Sequence, residues 1–218
     1  VTVIKRKGAG HDADRQEDGF ASASMIRSLI ETGEEFVRFV PSSTAELLRR
    51  EISEGRAPAS YERLNTAILS TLRGMTAQQI ATAPDVSEGI ENRLYEAIRS
   101  AVKLDEVFSY AKTKRYSHAR IRRLVLHAFL GIRAQDTNGN PPYIRVLACN
   151  DAGKAVLREA RKKATLPIVM KTADIRKLDE RAQRVFASEC AATDIFVLAL
   201  PNPLPCGTEQ IANAIIKK

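Results

Sequence analysis

Residues 112–132 read Lys112-Thr113-Lys114-Arg115-Tyr116-Ser117-His118-Ala119-Arg120-Ile121-Arg122-Arg123-Leu124-Val125-Leu126-His127-Ala128-Phe129-Leu130-Gly131-Ile132. The stretch carries Lys112, Lys114, Arg115, Arg120, Arg122 and Arg123 and no acid. Ser117 suits an N-cap, because its hydroxyl can accept from a free backbone N–H at the start of a helix. From there Ile121, Leu124, Val125, Ala128, Phe129 and Ile132 recur at helical spacing and share one side. Arg120, Arg123 and His127 share a separate strip. The spacing therefore predicts an amphipathic helix with one face for a core and another able to meet an anion. A run of cations is most often only a solvated face. Here Tyr116 stands among the cations, and an aromatic in that setting suits a phosphate backbone with an unstacked base.

Size and charge set the frame. The 218 residues are enough for one large domain or two small ones with a real core. A hydrophobic fraction of 44% and a charged fraction of 28% are ordinary for a globular chain. No apolar run approaches the roughly 18 residues of a membrane span. The formal net charge of +8 favours a polyanionic partner through counterion release and long-range attraction. Cys149, Cys190 and Cys206 have no metal-ligand spacing and form no even disulfide set, so they read as reduced residues of a cytoplasmic protein. His11, His118 and His127 are too scattered for a metal site.

Toward the N-terminus, Val1 to Arg6 is β-branched and predicts a strand. It leads into Lys7-Gly8-Ala9-Gly10, where glycines let a phosphate approach the backbone. Phe20 to Glu31 predicts a helix with Ser22 or Ser24 as cap and Arg27 on the first turn. Such a helix start offers free N–H groups and the positive dipole end to an anion, although a plain cap is the simpler reading. Helices follow over 42–52 with Leu47 and Leu48 inward, and over 61–72 with Leu64, Ile68, Leu69 and Leu72 inward. A short helix starts at Thr76, and another starts near Asp85 with Ile90, Leu94, Ala97 and Ile98 inward. One more covers 104–113. Short connections make 42–132 a helical bundle. Beyond the turn-rich Asp136 to Pro142 the period changes. Tyr143 to Cys149 and Leu166 to Met170 predict strands, with a helix over 151–163 that turns Val156 and Leu157 inward. This order suggests a small parallel α/β unit. A long helix over 178–200, with Ala182, Val185, Phe186, Cys190, Ile195 and Phe196 available for packing, and a short one over 209–216 complete the chain.

Several motifs together resemble one family. Lys112-Thr113-Lys114-Arg115-Tyr116-Ser117-x-x-Arg120-Ile121-x-Arg123, followed by Leu124-x-Leu126-His127-x-x-Leu130-Gly131-Ile132, is similar to the C-terminal part of the bacterial tRNA(Met) cytidine acetate ligases. Ile4-Lys5-Arg6-x-Gly8-Ala9-Gly10, Ser22-Ala23-Ser24-x-Ile26-Arg27 and Glu88-Gly89-Ile90-Glu91-Asn92-Arg93 resemble further landmarks. The likeness is strongest over 1–32 and 88–132 and looser after 140.

The resemblance implies a mostly α chain with α/β parts. Residues 1–35 would be the tail of a nucleotidyltransferase-like catalytic domain. Residues 36–135 would be a helical tRNA-binding region, and 136–218 a small α/β unit. It implies a ligase that uses ATP, with Mg, to convert acetate to acetyl-adenylate and then acetylates N4 of the wobble cytidine of elongator tRNA(Met). Carried over by position, Arg6 and Lys7 would meet the nucleotide, with Ser22, Ser24 and Arg27 near its phosphates. Lys112, Lys114, Arg115, Arg120 and Arg123 would bind tRNA phosphates, Tyr116 would stack on a base, and Glu91 and Asn92 would make structural hydrogen bonds or pin a neighbouring loop or the tRNA. Two departures stand out. The family usually has a tyrosine between Gly10 and His11, and its His-x-Gly-His phosphate-binding signature occurs nowhere in the sequence. The expectation is accordingly a C-terminal half of a longer enzyme, inactive alone. Alternatives are a non-catalytic RNA-binding module and a nucleotidyltransferase acting on a small molecule.

Overall fold

The computed structural model describes residues 20–217. Arg6, Lys7 and the expected strand and glycine loop lie outside them. The chain divides into two compact units. Among the described residues, the first comprises 20–60 together with Ala199–Leu204, and the second comprises Tyr61–Leu198 with 205–217.

In the first unit, helix α1 (Ala23–Thr32) starts at the Ser22 cap, whose Oγ accepts from the Met25 N–H at 3.0 Å. It stops at Gly33, where φ is 74° and the N–H returns to the Ile30 carbonyl, a left-handed close that glycine makes without strain. Helix α2 (Ser42–Ser53) buries Ala45, while Leu47 is exposed, against expectation. Two residues at about 100° each carry Leu47 to the far side of the helix from Ala45. After α2 the chain turns at Gly55 with φ 71°. A Cβ there would lie 2.2 Å from the side-chain nitrogen of Asn202. Asn202 is held in that place by donating its N–H to the Gly55 carbonyl at 2.9 Å and its amide to the Glu54 carbonyl at 3.1 Å.

The second unit is built on α3 (Tyr61–Arg73), α4 (Ala77–Ile80), α5 (Ile90–Ser100), α6 (Leu104–Ala111) and α7 (His118–Phe129). Ile68, Leu72, Ile80, Ile90, Leu94, Ile98, Val107, Ile121, Leu124 and Val125 are each at most 2% exposed and form its core. The inward residues that the 3.6-residue period selects on α3 and α5 are all buried. Arginines tie the helix ends. Arg73 donates to the Ala101 carbonyl at 2.6 Å, and Arg93 donates to the Tyr110 and Ala111 carbonyls at 2.6 and 3.1 Å. A guanidinium there satisfies carbonyls left open at a helix C-terminus and meets the negative dipole end.

A short helix α8 (Ala134–Thr137) leads to the α/β part, also in the second unit. The single strand expected over 143–149 is two. Strand β1 (Ile144–Arg145) pairs in parallel with β3 (Ile168–Val169), and β2 (Ala148–Cys149) pairs in parallel with β4 (Ile215–Ile216). The change of partner falls at Val146 and Leu147. Val146 donates to the Val169 carbonyl, whereas the Leu147 carbonyl accepts from Ile215. The helix expected over 209–216 is therefore replaced by turns that end in β4; two successive isoleucines suit a pleated edge. Helix α9 (Asp151–Lys163) buries no residue and Val156 is exposed, which corrects its expected inward face. Two-residue strands leave little sheet surface for a crossover helix to cover. Helix α10 (Glu180–Phe196) is capped by Asp179 and ends in a 3₁₀ turn over Val197–Ala199, so it is shorter than expected, and Phe196 is exposed. Ala182 of α10 joins Tyr143, Val169 and Ile175 in a second apolar cluster, against which Val185 and Phe186 pack.

Candidate nucleic-acid interface

The turn between α6 and α7 is fixed by a threonine. Thr113 Oγ1 accepts from the N–H groups of Arg115 and Tyr116, each at 3.1 Å. Ser117 then caps α7 by accepting from the Arg120 N–H at 3.3 Å. Such side-chain caps commit the backbone without using the cationic side chains. Lys112, Lys114 and Arg115 project from the turn and are exposed, as is Arg122 on α7, whose guanidinium lies 5.5 Å from the Phe108 ring. None of these four has an ion pair with an acid among the described residues. The result is a turn held by side-chain hydrogen bonds, with positive charge that no acid among the described residues pairs with.

Tyr116 points the other way. It is only 6% exposed, and its hydroxyl donates to the Glu88 carbonyl at 2.8 Å. The expected stacking platform is thus a buried anchor: a ring face closed off by the protein is not open to a base. The partner Glu88 lies in the loop ahead of α5, residues 85–89, which the sequence reading takes as helix. Asp85 and Glu88 have φ of 66° and 59°, and Gly89 has φ of 80°. Left-handed backbone at non-glycine residues costs energy and persists where surroundings impose it.

The imposing groups come from α7. Arg120 donates to the Asp85 carbonyl at 2.8 Å and to Ser87 Oγ at 2.7 Å, and its guanidinium lies 5.4 Å from the Tyr116 ring. Arg123 pairs with the Asp85 carboxylate at 3.1 Å. Asn92 and Glu91 hydrogen-bond each other at 3.3 Å. Asp85 and Ser87 are missed by sequence reasoning, since no periodicity marks a loop residue whose partner lies over thirty positions on. The only sequence signal is the Pro84-Asp85 and Gly89 punctuation. His118 and His127 both sit on α7, each with a buried Nδ1 lacking a hydrogen-bond partner, and the helix does not bring them together. Among the described residues no cluster of His, Cys, Asp and Glu could hold a metal ion, and no helix is long and apolar enough to cross a membrane.

On α1, the expected nucleotide residues divide. Ser22 is fully buried as the cap, whereas Ser24 Oγ accepts from the exposed Arg27 guanidinium at 3.2 Å. The first turn contains no acid. Ser24 and Arg27 thus form a small polar pair on the outer face of that turn, and Ser22 shapes the backbone beneath it.

Comparison with known proteins gives these surfaces a context. The chain is 36% identical over 205 residues to the tRNA(Met) cytidine acetate ligase of Caldanaerobacter subterraneus subsp. tengcongensis, covering 92% of this chain and 50% of that protein. It is 30% identical over 219 residues to the enzyme of the same name from Thermosipho africanus, with 92% and 52% covered. The apo crystal structure of Thermotoga maritima TmcAL superposes with a TM-score of 0.88 at 28% identity, over 98% of this chain and 55% of that one. The same protein bound with alpha-thio ATP gives a TM-score of 0.83 at 27% identity, over 92% and 53%. The chain spans about half the length of the curated relatives it matches. The model of the HIGH nucleotidyl transferase family matches residues 1–210, nearly the whole sequence, and the chain belongs to that family.

Proposed function

We propose that this chain serves ATP-dependent acetylation of tRNA(Met), with the basic turn ahead of α7 as its tRNA-binding surface. The observation that carries the reading is the set of exposed cations Lys112, Lys114 and Arg115, which pair with no acid among the described residues, on a turn held by Thr113. Arg122 extends it. Cations held on a rigid backbone attract phosphates and release counterions without first being ordered. Relatives named tRNA(Met) cytidine acetate ligase and a structural neighbour bound with an ATP analogue support the substrate pair.

In the proposed reaction, with Mg expected beside the ATP phosphates, an acetate oxygen attacks the α-phosphorus of ATP and pyrophosphate leaves, forming acetyl-adenylate. The N4 amine of the wobble cytidine attacks the acetyl carbonyl, AMP leaves, and the amine gives up a proton. On this reading Arg6 and Lys7 serve the nucleotide, Ser24 and Arg27 lie near its phosphates, and Ser22 holds the α1 start.

Binding of total tRNA to the chain as a function of salt tests the proposal. Each phosphate contact adds about 0.7–0.9 to the slope of log affinity against log salt. The triple change Lys112→Glu, Lys114→Glu, Arg115→Glu is expected to flatten the slope by about 2 to 3 and abolish binding at physiological salt. An unchanged binding curve overturns the assignment of this surface.

A further inference from the structure

We propose that Arg120 and Arg123 are positioning residues that hold the 85–89 loop as part of the RNA-recognition surface, rather than ligands of phosphate. The inference rests on the tRNA-binding reading of the adjacent turn. Its starting point is that the cations of the α6–α7 segment differ in what they touch. Lys112, Lys114, Arg115 and Arg122 are exposed and unpaired with any acid among the described residues. Arg120 already gives hydrogen bonds to the Asp85 carbonyl and Ser87 Oγ, and Arg123 already faces the Asp85 carboxylate. A phosphate reaching either guanidinium would compete with partners that are part of the protein. The Arg123–Asp85 pair also contributes no net charge to a polyanion.

What these bonds achieve is conformational. Asp85 and Glu88 are both left-handed, and such residues need an environment that over-determines them. The Tyr116 hydroxyl fixes the Glu88 carbonyl, Arg120 fixes the carbonyl of Asp85 and the hydroxyl of Ser87, and Arg123 fixes the Asp85 side chain. All four bonds issue from the α7 segment that carries the exposed cations. One set of side chains on the segment thus supplies charge while another sets the shape of a neighbouring loop, whose Ser87, Glu88 and Gly89 are exposed. A loop of set shape bearing a hydroxyl, a carboxylate and open backbone groups suits contacts to ribose and base edges, which discriminate among RNAs where phosphate contacts do not.

The test measures the full chain's affinity for total tRNA across salt concentrations in four single variants and one double variant. Lys114→Ala is expected to lower the salt slope by about 0.7–0.9, as loss of one phosphate contact requires. Arg120→Lys keeps the charge but not the fork. It is expected to lose about tenfold in affinity at every salt concentration with the slope unchanged, as removal of one charge-assisted hydrogen bond does. Arg123→Ala is expected to shift the line in the same parallel way. Asp85→Gly tolerates the left-handed backbone and removes the carboxylate. It is expected to weaken binding, and to add little when combined with Arg123→Ala. Full rescue by Arg120→Lys, or tighter binding by Asp85→Gly, overturns the positioning role while leaving the tRNA surface standing. Wild-type chain that binds no tRNA, or a salt slope indifferent to Lys114→Ala, removes the surface itself and the inference with it.

Discussion

Replacing Tyr116 separates a buried anchor from an exposed stacking ring. In the structure the ring is 6% exposed and the hydroxyl gives one hydrogen bond, 2.8 Å long, to the Glu88 carbonyl. Tyr116→Phe removes that bond and keeps the ring, at a cost of about 1 kcal/mol. Tyr116→Ala removes the ring as well and leaves a cavity beside α7, at a cost of about 3–5 kcal/mol. Urea unfolding followed by far-ultraviolet circular dichroism reads both. With a slope of about 2 kcal/mol per molar urea, the midpoint falls by about 0.5 M for Phe and about 1.5–2.5 M for Ala. A stacking ring predicts the opposite pattern. Phe would then unfold like wild type, and Ala would lose tRNA affinity without losing stability. An unchanged midpoint in Tyr116→Ala refutes the burial argument outright.

Further outcomes follow from other contacts. Burial, and then the negative Glu189, hold the Tyr143 phenol well above the usual tyrosine range. The folded state keeps this group neutral, so its contribution to stability is full below the unfolded value of roughly 10 and is lost as pH rises past it. Comparing wild type with Tyr143→Phe in an alkaline spectrophotometric titration should show no tyrosinate from this residue before unfolding. Cys206 is exposed, whereas Cys190 is buried and burial pushes its thiol up; timed alkylation read by mass spectrometry should label Cys206 first and Cys190 last. Ser22→Ala removes the α1 cap and should destabilise the first unit by about 1 kcal/mol, measured as a loss of amide protection in α1. Gly55→Ala meets both a left-handed backbone and the Asn202 side chain, and should destabilise by about 2 kcal/mol or more in urea unfolding.

How much of this was legible depends on the range over which each feature is decided. The buried faces of α3, α5 and α7 follow from a 3.6-residue period, and the caps Ser22 and Ser117 follow from local hydrogen-bond chemistry, so both could be read directly. The parallel pairing of the α/β part follows from its strand–helix–strand order, but its detail does not. Strands of two residues carry almost no alternation, and the switch of partner at Val146 and Leu147 is settled by chain segments far away. The site was half legible. Its cations are plain in the sequence, but Tyr116 looked exposed because its partner carbonyl lies 28 residues upstream. Asp85 and Glu88 looked helical because a positive φ at a non-glycine residue is imposed by neighbours rather than by the residue itself. Leu47 is apolar and yet exposed, because the single buried residue of α2, Ala45, sets the inner face.

The tie from Asn202 to Glu54 and Gly55 spans 148 residues of chain. A ribosome delivers the end of α2 long before it delivers 199–204, so this part of the first unit waits unfinished while the whole α3–α7 bundle is made. Closing so long a loop adds little to the free energy, since the entropy of closure grows only logarithmically with length. It costs time instead. In a growing chain the bundle, rich in neighbouring-helix contacts, can be complete while the turn at Gly55 is still open. Residues 199–204 therefore finish a unit that α1 and α2 began.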